Sequence, residues 1–156
     1  MCGIIAIVRR PSTRPVPDAA DVIGMVEAAA AALATGAVAA GTDLGGLAAE
    51  LQHAAGRSHA ANELVGGVPG VRLLLESPAV ADTLAGLVDA ATASVAALEA
   101  RLDADTSLDP AELEHLNEQL VRVRDGLWAL GRDRLGGSHP GAKVLPAGRV
   151  APGSAV

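Results

Sequence analysis

With 156 residues the chain is long enough to bury one ordinary core and short enough that a single domain is the natural expectation. Half of the residues are apolar, yet Trp128 is the sole aromatic, so the core must be built from Leu, Val, Ile and Ala, a mixture suited to close-packed helices more than to a sheet sandwich. The net charge of -6 argues against nucleic acid or an anionic membrane as partner, since phosphate binding needs clustered Lys and Arg, and the only basic stretch, Arg9, Arg10 and Arg14, reads as a solvated linker.

In chain order, residues 3–8 (GIIAIV) are β-branched and apolar on both faces, the pattern of a strand buried on both sides. Pro11, Pro15 and Pro17 then impose an extended connector, which closes a first segment, 1–17. Residues 18–76 form an Ala- and Gly-rich helical region. Its first helix runs from Asp18 to about Ala34 on the stripe Val22, Val26, Ala29 and Leu33, with Gly36 as its stop. A weaker helix spans Asp43 to about Ala55, capped by Asp43, and the glycines from Gly56 to Glu76 predict irregular chain.

Residues 77–134 predict an antiparallel helical hairpin. Ser77 and Pro78 open its first helix, on which Leu84, Val88, Ala91, Val95, Leu98 and Leu102 recur at four-three spacing. Asp109, Pro110 and Glu112 open the second, which repeats the seam through Leu113, Leu116, Leu120, Val123, Leu127 and Leu130. The apolar seam of such a hairpin is too small to offset the ordering of about 50 residues, so it must dock on the earlier helices, on a second copy or on a larger parent. Residues 135–156, dense in Gly and Pro, read as a tail or linker. The apolar run at the N-terminus lacks the order of a signal peptide, and Glu27, Thr35 and Gly36 interrupt the Ala-rich stretch, so no membrane span and a cytoplasmic location are expected.

Cys2 is the sole cysteine, which rules out an internal disulfide and leaves a buried apolar group, a free thiol or a nucleophile. Removal of Met1 would leave it with a thiol and a free α-amine. That amine, with an ordinary pKa of about 7.7 to 8.0, can serve as base to its own side chain. The opening MCGIIAIV resembles the start of the class II glutamine amidotransferases, N-terminal-nucleophile hydrolases that begin Met-Cys-Gly-Ile; within them it is most similar to the glutamine:fructose-6-phosphate aminotransferases.

The resemblance covers about eight residues and implies Cys2 as the catalytic nucleophile, no cofactor, and glutamine and a sugar phosphate as substrates, with ammonia passed on to make glucosamine 6-phosphate. It also implies that the strand belongs to an αββα sandwich in a longer parent chain. The family's His-Thr-Arg segment, its Asn-Gly oxyanion pair and its glutamine-binding Asp have no counterpart here, so these residues by themselves lack the donors that stabilise the developing oxyanion. The fold expected is therefore mainly α with one N-terminal strand, and the function that of the N-terminal part of an amidotransferase carrying a helical insertion.

Two alternatives belong to other classes. One is a non-catalytic helical interaction module that uses the hairpin seam to pair with itself or with a partner. The other is a di-iron bundle, suggested by the Glu-x-x-His pairs Glu50/His53 and Glu112/His115 with Glu27 and Glu99 on the remaining helices. His53 and His115 fall more than about 100° from the centres of their apolar stripes, which argues against inward-facing ligands, and no metal is expected. His59 and His139 lack ligand-spaced partners, and Lys143 is not followed by the Ser or Thr of a phosphate loop.

Overall fold

Asp18 starts the first helix by accepting from the Ala20 N–H at 2.7 Å, satisfying a donor that has no partner within the helix. In the computed structural model, which describes residues 12–39 and 43–136, this helix is α1 (Ala19–Ala39). It is followed by α2 (Leu44–Val65), α3 (Gly67–Glu76), α4 (Pro78–Ala104) and α5 (Pro110–Trp128), whose end continues as a π-helical segment (Ala129–Leu135). Asp43 caps α2 through the Gly46 N–H at 2.9 Å, and Asp109 caps α5 through the Ala111 N–H at 2.8 Å. In the connection before α5, Asp105 accepts from the Ser107 hydroxyl at 2.6 Å and from its N–H at 3.0 Å, which holds the carboxyl below its ordinary pKa.

The helices form a square. α1 packs against α2 and α4, and α5 against α2 and α4, so α1 lies diagonal to α5 and α2 to α4. Directions follow from two side chains. Arg101, near the end of α4, donates to the Ala37 carbonyl near the end of α1, so these helices run parallel. Arg134 donates to Asn62 Oδ1 at 2.9 Å, which sets the end of α5 beside the end of α2. Each helix thus has one parallel and one antiparallel neighbour, and α3 carries the chain across the diagonal from α2 to α4.

All four stripe residues of α1 and all six of α4 are buried, as their spacing predicts. Their partners differ from those of a free-standing hairpin. The most extensive packing of α4 is on α1 and that of α5 is on α2, so the hairpin docks on the earlier helices and the two share one core. Each fully buried Leu in that core is worth about 1.5 to 3 kcal/mol. One buried polar atom, Gln119 Oε1, has no hydrogen-bond partner among the described residues. An unmet acceptor of this kind costs about 1 to 3 kcal/mol.

Three expectations need correction. The N-terminal strand and its sheet sandwich are not found: every regular element among the described residues is helical. Residues 3–8, the expected strand, lie outside those residues. The described core closes without a sheet layer because each apolar stripe is covered by another helix.

Gly36 does not stop α1. It is buried inside the helix, where a Cβ would stand 3.0 Å from Leu47 Cδ1, so its missing side chain is what lets α2 approach. The stretch from Gly56 to Glu76 is also helical. Gly56 has open space where a Cβ would lie, and the stripe Leu47, Leu51, Ala54 continues at the same spacing through Ser58, Ala61 and Val65. Gly67, at φ 69°, makes the turn into α3. Pro69 lies in the first turn of α3, where its absent N–H breaks no bond.

Gly86 gives a clean stability test. It is exposed in mid-α4 with nothing within 4 Å of a Cβ, so Gly86→Ala should raise stability by about 0.5 to 1 kcal/mol in urea denaturation. A loss would mean that α4 is not helical at that point.

Candidate functional site

The residue expected to do chemistry, Cys2, lies outside the described residues, as do His139 and Lys143. The side chains expected of a di-iron centre are not brought together. Glu27, His53, Glu112 and His115 are exposed, and Glu50 and Glu99 are half-buried. Among the described residues no three His, Cys, Asp or Glu side chains gather closely enough to hold a metal ion. Glu99 instead accepts from Arg124 Nη1 at 3.3 Å, joining α4 to α5.

That ion pair marks one end of a groove of about 570 Å³ between α4 and the last turns of α5 with its π-helical extension. The groove follows from the packing. With α4 drawn towards α1 and α5 towards α2, the outer side of the α4/α5 seam stays open, and on α4 the small side chains Ala85, Thr92 and Ala96 line it. Val88, Val95, Leu127 and Leu135, all buried, make its floor. Gly131 sits over Val88, a Cβ there being 3.4 Å from Val88 Cγ1, which fixes the level of the π-helical segment against α4. π-helical turns are uncommon and recur at functional positions.

Trp128 lines this groove and is 60% exposed. From the sequence it reads as a packing residue at the core edge, because it adjoins Leu127. In the helix it is turned about 100° from Leu127, away from the stripe. Acidic and basic side chains flank the groove on opposite sides: Asp89 and Glu99 come from α4, Arg124 and Arg132 from α5 and its extension. The signal that could have revealed it is the row of small residues beside the α4 seam, facing the chain's only large aromatic surface.

No protein family, curated protein or solved structure matches the chain.

A second feature is the pole of the bundle where α2 ends. The carbonyls of Glu63, Leu64 and Gly66 lie at the C-terminal turn, where helix carbonyls run short of backbone partners. Glu63 accepts from the Gly66 N–H at 3.3 Å, and the Arg14 guanidinium binds all three, at 3.0 Å to Glu63, 3.2 Å to Leu64 and closely to Gly66. A cation there also meets the negative end of the helix dipole. Arg134 reaches the same turn from the other end of the described chain, its guanidinium 3.6 Å from where a Gly66 Cβ would lie. The chain therefore enters and leaves the bundle against one residue. Beside this point α3 exposes Val68, Val71 and Leu75.

By length and composition α1 (over Ala19–Ala37) and α4 could each cross a membrane. In the fold each turns its buried stripe inward to the shared core.

Proposed function

We propose that the chain is the N-terminal part of a glutamine amidotransferase, with Cys2 as nucleophile and the helical bundle as a module inserted behind it. The α-amine takes the proton of the Cys2 thiol as its sulfur attacks the side-chain amide carbon of glutamine, and gives it to the departing nitrogen as the C–N bond breaks. A thioester forms, ammonia leaves, and water hydrolyses the thioester to glutamate and the free thiol. The ammonia passes to a sugar phosphate, fructose 6-phosphate, to give glucosamine 6-phosphate in the cytoplasm. Oxyanion donors and glutamine-binding groups come from the rest of the parent chain.

The observation that supports this within the fold is the shared pole. An inserted module disturbs its host least when its two ends lie side by side, and Arg14 and Arg134 both rest against Gly66. The exposed apolar side chains of α3 at that pole offer the remaining protein a surface to seat on. The chemistry itself rests on the opening MCGIIAIV.

The test is the N-terminus of the native protein. Peptide mapping by mass spectrometry should find a terminal peptide that begins at Cys2 with an unmodified amine. Retained Met1, or an acetylated Cys2, removes the base and with it the proposal.

The groove favours a second reading, that the bundle is an interaction module. The two are compatible, since one concerns Cys2 and the other the outer α4/α5 seam.

A further inference from the structure

We infer that the α4/α5 groove is a self-association face, occupied by the same groove of a second copy of this chain across a two-fold axis parallel to the helices. The charges lead to that occupant. The Gly131–Val88 contact puts residues 131 and 88 at one level, so their neighbours Arg132 and Asp89 share that level on opposite rims. The Glu99–Arg124 pair does the same further along.

Rotation about an axis along the groove sets α4 of one copy opposite α5 of the other without changing level. Asp89 then faces Arg132 of the second copy, and Glu99 faces Arg124 of the second copy. Asp89 and Arg132 form no ion pair among the described residues, so the second copy supplies the counter-charge each lacks. The groove rims are balanced, two acids against two arginines, although the chain as a whole carries -6.

Shape follows charge. The same rotation brings Trp128 of one copy over the small α4 residues Ala85, Thr92 and Ala96 of the other, the place where a large flat side chain fits. From Ala85 to Glu99 the groove is about 20 Å long, and two helices abreast are about 20 Å wide. That footprint is roughly half of the ~800 Å² per partner found in standard interfaces, so a weak dimer with a dissociation constant on the order of micromolar is expected. This inference stands apart from the role of Cys2.

The chain's only aromatic residue reports on its own interface. Trp128 emission of the 156-residue protein should move to shorter wavelength as concentration rises through the micromolar range, in step with a monomer-to-dimer shift in analytical ultracentrifugation. Asp89→Arg and Arg132→Asp should each weaken the dimer about tenfold or more by setting like charges opposite. Mixing these two variants should restore association, because the mixed dimer sets fewer like charges against one another than either variant paired with itself. That recovery also shows that neither variant is merely unfolded.

Three results would overturn the inference. One is a monomer with unshifted emission at millimolar concentration. Another is emission already at short wavelength in the dilute monomer, as when residues 137–156 of the same chain fill the groove. The third is a dimer indifferent to both charge changes and to Trp128→Lys.

Discussion

Gly70→Ala should be the most disruptive addition of a single methyl group, lowering stability by about 3 kcal/mol or more. Gly70 is buried in α3 where this helix turns back on the end of α2, and an added Cβ would fall on the Val65 carbonyl group. The obstacle is backbone at both ends, so no rotamer change relieves it; α3 as a whole would have to move away. That movement has consequences in the core. α3 carries the buried Leu73 and Leu74, and the Leu73 carbonyl accepts from the Ser77 N–H at 3.0 Å, where α4 begins.

Helix propensity alone pulls the other way, favouring Ala over Gly by about 1 kcal/mol. The sign of the result therefore separates close packing from propensity, with Gly86→Ala as the exposed comparison. For a domain of this size the loss corresponds to a melting temperature lower by about 6 to 12 °C, measurable by far-ultraviolet circular dichroism. An unchanged or raised melting temperature would mean that the α2–α3 corner is more open than this geometry requires.

Gly126→Ala should destabilise by about 1 to 3 kcal/mol, and Ser58→Ala should recover more than half of that loss. Here α5 crosses α2 at close quarters, and the Cβ would collide with the Ser58 hydroxyl and stand 3.2 Å from Ser58 Cβ. The hydroxyl has little freedom to move aside, being wholly buried and bonded to the Ala55 carbonyl at 3.1 Å. Replacing Ser58 by Ala removes the colliding oxygen and leaves a tight but tolerable carbon contact. Chemical denaturation of the wild type, both single variants and the double variant gives the coupling directly. Strictly additive losses would show that these residues do not meet, and would break the pairing of α2 with α5.

The seams of α1, α4 and α5 were legible because their apolar spacing is set by the helix itself. Their partners were not. Leu98 and Leu120 have the same local pattern whether they face one another or face α1 and α2, and only the global packing chooses. Glycine misleads a reading of the sequence twice for one reason: Gly36 and Gly56 look like helix breakers, yet one is a close-contact point and the other stands beside open space in a helix held by tertiary packing.

Of the candidate sites, Cys2 is proposed from its position next to Met1 alone, and it lies outside the described residues, so the fold adds nothing to that reading. The groove was not legible. It arises from where α4 and α5 lean, and from a π-helical segment for which ALGRDRL carries no recognisable signal. Trp128 stood in plain view in the sequence, but its helical angle relative to Leu127 decides between core and surface.

Because Arg14 and Arg134 meet at Gly66, the described backbone comes close to a closed ring. The order in which its helices are synthesised is then nearly independent of how they pack. Joined across residues 12 and 136 and opened between Asp105 and Asp109, the same square of helices would begin at α5 and end at α4. In evolution such a unit can be acquired or discarded whole, leaving the residues on either side of it as near to each other as before.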